Sequence, residues 1–205
     1  MKKISILIFL SLISCSKNSV RIENGFTKIN DEYLDRNKLI EQIKPNKDYI
    51  YWDYATFRPD LYKNKKEVIR KYGDTLIRNS YTFYPPQSGF FNGCLPGTCF
   101  SYVTYIENDD VHYVTDETEM KKFIGKIDNL AEAILILEMY DLWFDHKEKK
   151  AGSFKKTTNG FELYMMKAKG CPETKESIKV EIDSIGNFKL KNNGVYYKSN
   201  NCNMS

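Results

Sequence analysis

The chain has 205 residues, of which 41% are hydrophobic, 14% aromatic and 28% charged; this suits one folded domain and excludes a low-complexity tail or a collagen-like repeat. Its 31 basic and 27 acidic residues leave a formal charge of +4, or +2 once Lys2 and Lys3 are removed with the leader, too little for a nucleic-acid footprint. The first fifteen residues read MKKISILIFLSLISC, a basic start followed by an apolar run from Ile4 to Ile13 that only Ser5 and Ser11 interrupt. That order is a secretion signal. The run of ten is too short to cross a hydrocarbon core about 30 Å thick, which takes roughly 20 helical residues.

Leu12, Ile13, Ser14 and Cys15 resemble the lipobox of bacterial lipoprotein precursors. The resemblance covers the leader alone. It implies a diacylglycerol on the Cys15 thiol, removal of residues 1–14 as signal peptide, and acylation of the new amino terminus. One acyl chain holds a protein to a membrane only marginally, whereas two or three anchor it stably. The chain is therefore expected on the cell membrane or outer membrane, exposed to periplasm or cell surface, with the membrane as a partner through the lipid. Ser16 after the cysteine implies the outer membrane where a cell has one, by the sorting preference of such lipoproteins. Residues 15–31 read as lipidated cysteine plus a polar, flexible tether, and residues 32–205 as a single exported domain.

Within that domain, Leu34, Leu39, Ile40 and Ile43 fall near helical spacing before Pro45, and Asn64 with Glu67 reads as a capping box opening a short helix that Gly73 stops. Thr75 to Tyr84 alternates imperfectly as a strand and ends at Pro85-Pro86. Cys99 to Val114 predicts a hairpin turning at Asn108-Asp109-Asp110. Asp116 and Glu119 form a second capping box, Met120, Phe123 and Ile124 one helical face, and Gly125 the stop. From Asn129 to Trp143 a further helix is apolar nearly all round, so it must be central. Asn159-Gly160 predicts a tight hairpin between Phe154–Thr158 and Phe161–Lys167. Ile178, Val180 and Ile182 then alternate with Lys179, Glu181 and Asp183, and after a turn at Gly186 the chain resumes with Phe188 and Leu190 inward. The fold class is α+β, a mainly antiparallel sheet of hairpins covered by the buried apolar helix.

Export allows disulfides to persist, and the four cysteines of the body permit three pairings. The two local bridges are expected, Cys94 with Cys99 across Pro96-Gly97 and Cys171 with Cys202. Loop-closure entropy gives them about 2.2 and about 3.7 kcal/mol respectively.

No motif identifies a reaction, so the catalytic residues are unknown and no metal or cofactor is expected. His112 and His146 are not spaced as a ligand pair, and His146 reads as a positive charge near the end of the central helix. The runs Lys147, Lys149, Lys150 and Lys63, Lys65, Lys66 read as solvated faces. The suggestive feature is aromatic density in two stretches expected to be irregular, Tyr49 to Phe57 and Tyr81 to Phe91. Each ring can bury about 150 to 250 Å² and present a polar tip to a partner. Tyr51, Trp52, Tyr54, Phe90 and Phe91 are the candidate binding aromatics, against the alternative that they fill the core. The leading expectation is a binding domain for a protein or envelope-glycan partner. An inhibitor or immunity-type lipoprotein is the second, and an envelope hydrolase with a dispersed site the third. The hydrolase predicts a concave pocket with convergent polar groups and a strongly shifted carboxylate.

Overall fold

The computed structural model describes residues 20–59, 64–92 and 99–200. The lipobox with Cys15, and Cys94 and Cys202 of the two expected bridges, lie outside them; Cys99 and Cys171 are disulfide-bonded. The fold is α+β, with the strands divided between two antiparallel sheets. In chain order the elements are β1 (Thr27–Lys28), α1 (Arg36–Ile40), β2 (Tyr51–Pro59), β3 (Asn64–Gly73), α2 (Thr75–Asn79), β4 (Phe100–Glu107), β5 (Asp110–Val114), α3 (Glu117–Ile124), α4 (Leu130–Glu138), β6 (Ser153–Thr157), β7 (Gly160–Lys169), β8 (Thr174–Asp183) and β9 (Phe188–Lys198). One sheet has the order β3-β2-β4-β5 and the other β1-β6-β7-β8-β9.

Local chemistry sets the turns and caps where expected. Asn108 and Asp109 both take positive φ, 54° and 63°, between β4 and β5, the conformation that suits a two-residue hairpin. Asp116 Oδ1 accepts from Glu119 N at 2.8 Å, and Glu119 Oε2 accepts in return from Thr115 N at 2.7 Å. Gly125, at φ 72°, ends α3.

Every residue of α4 from Ala131 to Glu138 is buried. On one side its core includes Trp52, Tyr54, Val103 and Val114 of the four-stranded sheet; on the other it includes Leu163, Met165, Ile178 and Val180 of the five-stranded one. Leu39 and Ile40 of α1 and Met120, Phe123 and Ile124 of α3 complete the same cluster. Each buried Leu, Ile or Phe contributes roughly 1.5 to 3 kcal/mol relative to exposure.

Several expectations need correction. Residues 64–73 form a strand, not a helix, because they pair along the whole of β2, from Pro59 opposite Asn64 to Tyr51 opposite Gly73; that ladder outweighs one capping box. Lys66 is drawn from its expected solvated face to Asp53, which is fully buried, at 2.9 Å. Residues 75–79 are helical, not extended, with Asp74 Oδ1 capping Leu76 N at 2.8 Å. The apolar helix stops at Glu138, short of Trp143. There Leu142 N donates to Leu137 O and Asp141 N to Glu138 O, with Asp141 at φ 60°, which is a Schellman ending built without glycine. His146 accordingly does not sit at that helix end. Leu190 lies on the edge strand and is 52% exposed, not inward. The body also begins before Glu32. Phe26 and Ile29 are buried, Thr27 and Lys28 pair with Phe154 and Ser153, and Asn193 Nδ2 donates to Arg21 O at 2.8 Å.

Glu132 is the acid that ties α4 to its surroundings. Its carboxylate accepts from Lys44 N at 2.8 Å and Asp128 N at 3.3 Å, and burial pushes its carboxyl up. Glu132→Ala leaves these donors without that acceptor in a buried setting. The expected loss is about 2 kcal/mol of unfolding free energy, read by urea denaturation at constant m; a loss under about 0.5 kcal/mol would show that water replaces the carboxylate.

Candidate functional site

A cavity of about 740 Å³ opens where α1, the C-terminal end of α4, the N-terminal end of α3 and the β2–β4 pair converge. Thr56 and Ser101 face each other across that pair, their hydroxyls 3.1 Å apart. The chain at Phe90 is bound to Ser101 by a two-way backbone bridge. Gly89 permits that approach, because a Cβ there would meet the Ser101 carbonyl and lie 2.8 Å from the Phe100 ring. A cavity of about 450 Å³ beside Phe161 and Phe188 is lined by charged residues, none of which is buried.

The charged centre of the larger cleft is Arg36 with Glu138. Arg36 Nε donates to Glu138 Oε2 at 3.3 Å, and the carboxylate is buried. Glu138 is the last residue of α4, where the helix dipole opposes a negative charge. Burial pushes its carboxyl up to about 7, partly opposed by the Arg36 guanidinium. The guanidinium in turn is held by two cation–π contacts, its carbon 3.9 Å from the Phe91 ring centre and 5.5 Å from that of Trp143. Only Nε is engaged; Nη1 and Nη2 have no hydrogen-bond partner among the described residues. Asp116, Glu117, Asp141 and Arg58 complete the charged lining. Beside the cleft, Tyr54 packs on Phe90 with ring centres 5.8 Å apart, and its buried hydroxyl has no partner among the described residues.

The expected binding aromatics divide sharply. Tyr51, Trp52, Tyr54 and Phe90 are between 1% and 6% exposed, so they do not present a surface to a partner. The physical reason is that residues 51–59 form the strand between β3 and β4, where alternation sends Trp52 and Tyr54 into the core. Tyr51, on the outer face, is covered as well and donates through its hydroxyl to Asp53 Oδ2 at 2.9 Å. Only Phe90 and Phe91 reach the cleft. Arg36, Glu138 and Trp143 were not singled out from the sequence, although the two acids of an otherwise apolar helix, Glu132 and Glu138, were a readable signal. Asp145 is tied by Lys147 N and the Tyr196 hydroxyl, both at 2.9 Å; although burial pushes its carboxyl up, these bonds hold it below the usual range. Among the described residues no group of His, Cys, Asp and Glu is placed to hold a metal ion.

No family model matches the chain, and no curated protein or solved structure does either.

The Glu138 environment has a measurable consequence for stability. Because its folded pKa lies above the ordinary 4.5, the folded chain holds this proton where the unfolded chain has lost it. Its contribution is fully present below about pH 4.5 and is lost as pH rises through about 7, a change of about 3 kcal/mol. Glu138→Gln, which cannot ionise, is expected to flatten the stability profile across that window. Parallel profiles for the two proteins would contradict the raised carboxyl.

Proposed function

We propose that the chain is a lipid-anchored envelope lipoprotein whose body binds a protein or envelope-glycan partner, and that binding takes place in the Arg36–Glu138 cleft. The observation that carries this reading is a guanidinium in contact with two rings, its Nη groups without a partner among the described residues, in the lining of an open cavity of ligand size. The aromatic residues contribute as walls and clamp instead of as an exposed patch. The leader supports the anchor, and among the described residues no helix is long and apolar enough to cross a membrane. If Cys15 is lipidated, residues 16–20 are the only chain between the lipid and Arg21, which touches the five-stranded sheet. Five residues span at most about 18 Å. The body is then held close to the bilayer.

Cys15→Ser is expected to abolish incorporation of labelled fatty acid and release the chain from membranes; an unchanged lipid signal would remove the anchor reading. For the cleft, full-length lipoprotein in mild detergent serves as bait for envelope proteins and glycan fragments, beside Arg36→Met. That substitution keeps the stem between the rings, and Glu138 can take up a proton in compensation. A partner whose affinity falls at least tenfold with unchanged circular dichroism supports the cleft, whereas equal affinity places binding elsewhere.

A second reading, an envelope hydrolase with a dispersed site, is favoured by one observation: a carboxyl raised to about 7 in a cleft that also holds Asp116 and Asp141. Its separate mark is product release from envelope glycan that Glu138→Gln abolishes while binding persists.

A further inference from the structure

We infer that the cleft takes a zwitterionic ligand, its carboxylate on the outer edge of Arg36 and its ammonium group against the acidic rim formed by Glu117 and Asp141. The inference deepens the cleft reading and rests on it. Its first support is the geometry of Arg36. Its guanidinium carbon lies over the Phe91 and Trp143 rings, which restrain the group, and Nε is engaged by Glu138. Arg36 lines the cavity, and its Nη pair is a planar two-donor fork without a protein partner among the described residues. That fork matches the two oxygens of a carboxylate.

The second support is the charge of the walls. Arg36 and Arg58 are set against Asp116, Glu117, Glu138 and Asp141, so the lining carries more negative than positive charge. A simple anion entering such a cleft meets repulsion from the rim. A ligand that carries an ammonium group beside its carboxylate converts that repulsion into attraction, and so satisfies both poles. Of the rim acids, Asp116 already caps α3. The side-chain carboxylates of Glu117 and Asp141 have no hydrogen-bond or ion-pair partner among the described residues, and Asp141 is exposed. They are therefore the groups available to a cation. The volume of about 740 Å³ accommodates a ligand larger than a single amino acid. The chemistry is that of a short peptide with free ends or of an amino-sugar acid.

The test is titration of the detergent-solubilised full-length lipoprotein, followed by tryptophan fluorescence. The chain has two tryptophans, Trp52 in the core and Trp143 against Arg36, so Trp143→Phe identifies the cleft signal. The probes are alanyl-alanine, its C-terminal amide, its N-acetyl derivative and muramic acid. Saturable binding of alanyl-alanine or muramic acid is expected, and whichever binds more tightly separates the peptide from the sugar source. For alanyl-alanine, blocking either end should weaken binding at least tenfold. Glu117→Gln with Asp141→Asn should weaken the zwitterion at least fivefold and leave the N-acetyl derivative unchanged; because both residues lie outside the core, this variant serves even if Arg36→Met fails to fold. Equal affinity of the capped and free peptides, or no saturable signal from any probe up to millimolar concentration, overturns the zwitterion. In that event a Trp143 response to neutral envelope glycan would leave the cleft reading standing, and silence to every envelope fragment would remove both.

Discussion

A helix that is apolar on every face cannot rest on one sheet; it has to be enclosed. In this molecule α4 imposes that condition, and the two sheets, α1 and α3 are the enclosure. Ala131 and Ala133 give the backbone room to approach its neighbours, while Ile134 to Leu137 fill the space on all sides. The arrangement explains why the strands divide into two sheets. A single sheet would leave half of the helix surface in water, at a cost of roughly 25 cal/mol for each Å² of apolar area.

The same enclosure creates the cleft. A buried helix must end somewhere, and α4 ends on Glu138, an acid at the pole of the helix where negative charge is least favoured. Burial without a partner would be costly. The partner is Arg36, delivered by α1 from a segment that the caps of Asn30 and Asp35 place at the edge of the core. Only Nε of Arg36 serves that pairing; Phe91 and Trp143 contact the guanidinium, and the residue lines the cavity. Trp143 can take up that position because the Asp141 turn closes α4 early and sends the chain into its bridge with Met166. The geometry of the cleft and the packing of the central helix are therefore one arrangement.

What could be read from the sequence follows from how local each signal is. The hairpin at Asn108-Asp109, the cap at Asp116 with its stop at Gly125, the alternation from Ile178 to Ile182 and the all-round apolar character of α4 are properties of a few adjacent residues. The structure retains them. Residues 64–79 misled because two weak local signals competed with long-range pairing: Asn64 and Glu67 imitate a helix start, but nine residues of β2 offer a complete ladder. The true cap, Asp74, comes ten residues later. The aromatic stretch misled for a related reason, since density of Tyr, Trp and Phe signals either a surface or a strand core, and only the position of β2 between two neighbours decides. The cleft itself was legible only through Glu138 as an anomaly. Its pairing with Arg36 spans 102 positions and leaves no local trace.

The layering also bears on how the proposed anchor would sit relative to the cleft. Residues 21–26 run over the outer face of the five-stranded sheet, where Glu23 pairs with Lys179 at 2.7 Å and Phe26 packs on Tyr164 with ring centres 4.7 Å apart. Lys179 and Tyr164 alternate with the core residues Val180 and Leu163, so that face points away from α4. The cleft draws instead on α1, the loop at Phe90, the ends of α3 and α4, and the four-stranded sheet; no residue of β6 to β9 lines it. If the proposed anchor holds, the chain meets the bilayer with the five-stranded sheet, and the cleft opens beyond the other side of the central helix. Such an orientation keeps the Arg36 fork clear of lipid headgroups, whose phosphates would otherwise compete for it. The proposed short tether and the open cleft are compatible because the five-stranded sheet and α4 stand between them.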